Sequence, residues 1–120
     1  MFAMARTVLI VDDHPSFRAS ARMLLESEGF DVVGEAEDGA SGIRAARELE
    51  PELVLLDIGL PDIDGLDVAS RLSTNGFRPA IILVSSRARE EVAPLMGRSG
   101  ARGFIPKSEL SAAAVEALLP

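Results

Sequence analysis

The sequence predicts a single α/β domain, a doubly wound parallel sheet of five strands with helices on both faces. Three observations lead there. Short apolar runs recur at regular spacing, at Val8–Val11, Val32–Val33, Leu53–Leu56, Ala80–Val84 and Phe104–Ile105. Segments of helical periodicity lie between them. Runs such as LVLL and AIILV are apolar throughout, as strands covered on both faces must be. A β-α alternation repeated five times implies a parallel sheet. Right-handed crossovers leave few orders, and 2-1-3-4-5 is the commoner one with a single switch point.

Each helical segment has its own signals. Phe17, Ala21, Leu24 and Leu25 form the first stripe, after a Pro15-Ser16 start suited to a first helical turn. Ile43, Ala45, Ala46 and Leu49 form the second, closed by Pro51. Its start, Asp38-Gly-Ala-Ser-Gly-Ile, is a turn and helix start; the glycine spacing does not match a dinucleotide fingerprint. Leu66, Ala69 and Leu72 form the third, ending at Asn75-Gly76, with Asp64 placed to cap it and Asp62 expected to stay solvated. Val92, Leu95 and Met96 mark a weak fourth segment, since Pro94 and Gly97 are poor helix-interior residues. Leu110, Ala113, Ala114, Ala117 and Leu118 mark the fifth, with Ser108 as the expected cap and Glu109 in the first turn.

Composition narrows the function. The 120 residues, read as one domain over 1–120, are enough to bury a core. There is no cysteine, which excludes disulfides and thiolate metal sites and suits a reducing cytoplasm. No uninterrupted apolar run exceeds five residues, against ~20 for a membrane span. A net charge of −7 repels phosphate backbones, so direct nucleic-acid binding is not expected. Arg78, Arg87, Arg89, Arg98, Arg102 and Lys107 bunch towards the end, read first as a solvated face and second as a docking face.

In such folds ligands sit beyond the carboxyl ends of the strands. Asp12 and Asp13 follow the first strand, Asp57 the third and Lys107 the fifth, and Ser85-Ser86 end the fourth. Strands one and three would be neighbours ~4.8 Å apart, with Asp13 and Asp57 facing across the gap. Three carboxylates so close do not all ionise without a cation. Lys107 supplies one charge, and a hard ion such as Mg²⁺ suits the rest. Asp57 is then free to act as a nucleophile, accepting a phosphoryl group as an acyl phosphate. Lys107 and a strand-four hydroxyl would hold the transferred oxygens.

At these residues the chain resembles the receiver domain of bacterial two-component response regulators, over essentially its whole length. The resemblance rests on Asp12-Asp13, on Asp57 within LLDIGLPDIDG, on Ser85 closing IILVSS, and on Lys107 in GARGFIPKSEL. It implies the flavodoxin-like (βα)5 fold with order 2-1-3-4-5. It also implies Mg²⁺ held directly by Asp13, Asp57 and the main-chain carbonyl of Gly59, with Asp12 acting through water. Ser85 rather than Ser86 becomes the hydroxyl ligand, leaving Ser86 as a helix cap, and Phe104 the switch aromatic. The partner implied is a sensor histidine kinase or phosphotransfer protein, the chain being a switch and not an enzyme. Its helix 4–strand 5–helix 5 surface would change on phosphorylation, and pairing as a homodimer is compatible with several faces.

The pattern departs from the family in places. Many receivers have a proline in a cis peptide after the lysine, where this chain has Ser108. Gly59 and Arg87 occupy positions that in the family tune phosphate lifetime. His14 is read as a residue at the start of helix one, near the rim. Two other functions make different demands on these positions. A phosphorylation-independent docking module predicts loss of a site residue, and none is missing. A small-molecule phosphatase predicts a second Asp two residues after the nucleophile, where Gly59 stands. The chain is either a stand-alone receiver or one domain of a longer regulator.

Overall fold

A computed structural model describes residues 6–74, 79–97 and 99–119. Its elements run β1 (Thr7–Val11), α1 (Pro15–Ser27), β2 (Asp31–Ala36), α2 (Gly39–Leu49), β3 (Leu53–Asp57), α3 (Gly65–Ser73), β4 (Ala80–Ser85), α4 (Arg89–Val92), β5 (Gly103–Pro106) and α5 (Ala112–Leu118). The strands form one parallel sheet in the order β2-β1-β3-β4-β5. The fold class, strand order and placement of the five helices expected from the sequence are all found.

Alternate residues of each strand point to opposite faces, so one chain builds two cores. Val8, Ile10, Leu53, Leu55, Ile82, Val84 and Ile105 face α1 and α5, where Ala21, Leu25 and Val115 meet them. Leu9, Val11, Val54, Leu56, Ile81, Leu83 and Phe104 face α2, α3 and α4, against Ile43, Ala46, Val68, Ala69, Leu72 and Val92. Most of these side chains are wholly inaccessible. At about 1.5–3 kcal/mol for each large aliphatic side chain, this burial dominates the stability of the sheet.

Local signals set the helix starts. Pro15 occupies the first turn of α1, Asp38 accepts from the Ser41 amide to cap α2, and Asp64 accepts from the Leu66 amide to cap α3. Other expectations need correction. The fifth helix is capped by Ser111, which accepts from the Ala114 amide, while Ser108 sits in a preceding 3-10 turn over Lys107–Glu109. Ala88, not Ser86, occupies the α4 cap position, and Ser86 is exposed. The fourth segment is a single helical turn followed by a 3-10 turn at Ala93–Leu95, as Pro94 removes an amide donor. Leu49 and Leu95, placed in apolar stripes by periodicity, are 45% and 48% exposed. Every described peptide bond is trans, that before Ser108 included. Asn75-Gly76, Arg78 and Arg98 lie outside the described residues. Arg87, Arg89 and Arg102 are exposed.

Candidate functional site

The site grows out of the strand register. Val11 pairs with Leu56, so one step further Asp12 comes level with Asp57, and Asp13 lies one residue beyond. The sequence had placed Asp13 opposite Asp57; the register makes Asp12 the facing residue. Asp57 in turn pairs with Val84, which puts Ser85 just past it, and Ser85 pairs with Pro106, the residue before Lys107. Four neighbouring strands thus deliver their functional residues to one edge of the sheet.

Lys107 Nζ lies 2.7 Å from Asp12 Oδ2 and 3.7 Å from Asp57 Oδ2. Its ammonium also sits 4.6 Å above the centre of the Phe17 ring, a cation-π contact that holds the long side chain over the pocket. Asp12 and Asp57 are buried. Burial raises the Asp57 pKa above the ordinary carboxylate value, and the neighbouring Asp12 raises it further. Lys107, the Gly59 amide hydrogen bond and, in the opposite sense, Asp13 contribute less. The Gly59 amide donates to Asp57 Oδ1 at 3.2 Å.

Three groups not assigned to the site from the sequence complete the surroundings. His14 follows the acidic pair, and its Nδ1 lies 3.1 Å from both Asp12 Oδ1 and Asp13 Oδ1. Arg18 donates from Nη1 to the Asp12 carbonyl at 2.5 Å and from Nε to Glu35 at 3.1 Å, which ties the end of β1 to α1 and β2. Asp62 is exposed, as expected, but also accepts from the Gly39 amide at 2.7 Å and the Ala40 amide at 3.0 Å. Those two bonds hold its carboxyl below the ordinary range and fasten the loop after Asp57 to the start of α2. His14 could have been suspected from its adjacency to Asp13. The partners of Arg18 and Asp62 are distant in the chain, and no local pattern marks them.

Could this pocket hold a cation? Asp12 Oδ2 and Asp13 Oδ1 are buried atoms at which no hydrogen-bond donor is directed among the described residues. Lys107 approaches Asp12 Oδ2 in distance but not along a hydrogen-bond direction. Asp12, Asp13, His14 and Asp57 each offer a ligand atom, all within 4.8 Å of one another. Carboxylate oxygens short of donors, grouped at this scale, fit a hard divalent ion. A surface groove of about 440 Å³, lined by Arg18, Glu35, Ser41, Arg44 and Glu48, contains none of the strand-end groups.

Ser85 and Phe104 occupy the remaining positions. The Ser85 hydroxyl is buried and accepts from the Arg87 amide at 3.0 Å. Phe104 is buried on β5 against the α2–α3–α4 core. The Arg89 guanidinium stands 6.0 Å from its ring and donates to its carbonyl at 3.3 Å.

A five-stranded α/β domain with clustered aspartates, a lysine and a hydroxyl at the carboxyl edge defines a class, the doubly wound domains with an acidic pocket at the strand ends. The comparisons make it specific: residues 8–118 match the response regulator receiver domain, and the chain belongs to that family. Phosphorylation-based signalling is what membership implies. The chain is 43% identical over 106 residues to the positive transcription regulator BvgA of Bordetella pertussis, covering 88% of this chain and 51% of that protein. It is 34% identical over 102 residues to the nitrate/nitrite response regulator NarL of Escherichia coli, covering 84% and 47%. The chain therefore spans about half the length of these relatives. Among solved structures, the signal receiver domain of NarL from Mycobacterium tuberculosis superposes with a TM-score of 0.85 at 30% identity, covering 97% of this chain and 98% of that one. No described helix is long and apolar enough to cross a membrane.

Proposed function

We propose that this chain is a phosphorylation-dependent switch, a receiver domain over residues 1–120, whose phosphoacceptor is Asp57. The observation that carries the reading is Lys107 Nζ, 3.7 Å from the Asp57 carboxylate though fifty residues away in sequence. A buried aspartate beside an ammonium supplies the acceptor and one of the positive charges that phosphoryl transfer requires, and its acidic neighbours leave the rest to a divalent ion.

In the reaction an Asp57 carboxylate oxygen attacks the phosphorus of a phosphohistidine on a partner sensor kinase or phosphotransfer protein. The phosphorus–nitrogen bond breaks with its electron pair going to the ring nitrogen, an acyl phosphate forms on Asp57, and the partner's imidazole leaves neutral, its other nitrogen keeping the proton it already carried. Asp12, Asp13, Asp57 and the Gly59 carbonyl would hold Mg²⁺, which supplies charge neutralisation of the phosphoryl oxygens. Lys107 orients and neutralises from the side of β5. The Ser85 hydroxyl, now accepting from the Arg87 amide, is placed to turn and donate to a phosphoryl oxygen. Phe104, already buried on β5, would repack with it and so alter the surface of α4, β5 and α5. Such a shift is limited by how differently the phosphoryl group interacts with the two conformations. Hydrolysis restores the starting state. A cytoplasmic location suits a chain without cysteine, and the names of the relatives point to control of transcription as the output served.

Incubation with Mg²⁺ and a small acyl phosphate, followed by intact mass, tests the reading. The chain should gain one phosphoryl group, lost in Asp57→Ala. No gain, or a gain that persists in that variant, refutes it. Titration of Mg²⁺ into Asp13→Ala should register no binding; an unaltered isotherm would remove Asp13 from the ligand set.

A further inference from the structure

We propose that His14 is a ligand of the divalent ion, so that this pocket takes a borderline cation such as Zn²⁺ better, relative to Mg²⁺, than an all-oxygen site would. The inference rests on the metal-binding reading above and extends it to a residue that reading leaves out.

Its basis is geometric. His14 Nδ1 lies 3.1 Å from Asp12 Oδ1 and 3.1 Å from Asp13 Oδ1, and the cluster that includes Asp57 spans no more than 4.8 Å. Bonds of ~2.1 Å from one ion place adjacent octahedral ligands about 3 Å apart and opposite ones about 4.2 Å apart. The spacing of His14 from the two carboxylates is therefore that of ligands sharing an ion. A nitrogen wedged between two carboxylate oxygens has two stable arrangements: it donates a proton to them, or it shares a cation with them. Asp13 Oδ1 beside His14 and Asp12 Oδ2 beside Lys107 have no directed hydrogen bond among the described residues, which leaves lone pairs that an ion can take. Lys107 Nζ, 3.4 Å from the same nitrogen, is a competitor that an ion would displace or push aside.

The position of His14 suits a ligand that arrives from the open side. It stands at the start of α1 with extended backbone, its side chain making no cap to that helix. Its backbone amide donates to Asp12 Oδ1 at 2.8 Å, which fixes the turn that aims the ring inward. The side chain is 62% exposed, so the remaining ring nitrogen can carry its proton in water while Nδ1 binds. An all-oxygen set favours Mg²⁺, whereas one imidazole shifts preference towards borderline transition ions.

The test uses the full chain with Mn²⁺, Zn²⁺ or Mg²⁺ alone. Electron spin-echo spectroscopy of bound Mn²⁺ should reveal hyperfine modulation from a directly bound imidazole nitrogen, absent in His14→Phe. Calorimetry should find the ratio of Zn²⁺ to Mg²⁺ affinity lowered about tenfold or more in His14→Phe and His14→Gln, the usual scale for loss of an inner or supporting metal contact. Because the side chain is exposed, both variants should keep the wild-type circular dichroism. Bound Mn²⁺ without nitrogen modulation, or an unchanged ratio, overturns the role of His14 and leaves the oxygen site standing. Failure of every ion to bind, or binding unaffected by Asp13→Ala, overturns the metal reading as well.

Discussion

Gly65 offers the sharpest test of how the phosphoacceptor loop is held. A Cβ added there would lie 2.2 Å from the Asp57 carbonyl oxygen and 2.6 Å from the Ile58 Cα, against an ordinary contact of at least 3.4 Å. Both obstacles are backbone, so no side chain can swing away. Relief requires the start of α3 to retreat from the end of β3 by about 1 Å, and the Gly65 amide donates to the Ile58 carbonyl at 2.9 Å across the same contact. Overpacking costs about 1–3 kcal/mol and the weakened amide bond about 1 more. Gly65→Ala should therefore lose about 2–4 kcal/mol, or roughly 8–16 °C in midpoint for a domain of this size. The chain has no Trp or Tyr, so unfolding is followed by far-ultraviolet circular dichroism rather than fluorescence. Gly97→Ala is the control, because a Cβ there meets nothing within 4 Å. Its midpoint should stay within about 0.5 kcal/mol of wild type. Equal midpoints for Gly65→Ala and wild type would refute the claim that close backbone approach sets the loop.

Three further outcomes are expected. In chelator, Asp57→Asn should be more stable than wild type at neutral pH. The raised Asp57 pKa means that ionisation favours the unfolded chain as pH rises, so denaturant titrations should find the gap closing below the ordinary carboxylate range. A wild type more stable than the variant at neutral pH would contradict the burial of an under-compensated charge. Asp62 has the opposite sign: its lowered pKa stabilises the fold above the carboxylate range and ceases to do so as pH falls through the folded value. Thermal midpoints of wild type and Asp62→Ala should accordingly converge on acidification, and a constant difference would argue against the bonds to Gly39 and Ala40. Finally, Ser111→Ala should cost about 1 kcal/mol through loss of the α5 cap, while Ser108→Ala should cost little. Chemical denaturation that ranks the two the other way would restore the cap expected at Ser108.

Patterns short enough to be read along the chain survived into the structure. The β-α alternation led to five strands because wholly apolar runs have no stable place except between two layers. Pro15, Asp38 and Asp64 began helices where expected, since a cap acts on amides only two or three residues away. The failures are of the same local kind. Ser108 and Ser111 offer equivalent hydroxyls, and the choice fell to the 3-10 turn by which the chain leaves β5. Leu49 and Leu95 have the right period but stand at the last residues of their elements and stay about half exposed.

The sequence by itself determined the chemistry available: the strand-end aspartates, one hydroxyl, one lysine, and an order of elements that sends them to the same edge. Tertiary structure decided which of them touch. It set Asp12 rather than Asp13 level with Asp57, brought Lys107 to both, turned His14 onto the carboxylates, and gave Asp62 the amides of α2. The reason is range. Periodicity and capping act over a few residues, whereas ion pairs and register depend on distances between segments that only packing brings together.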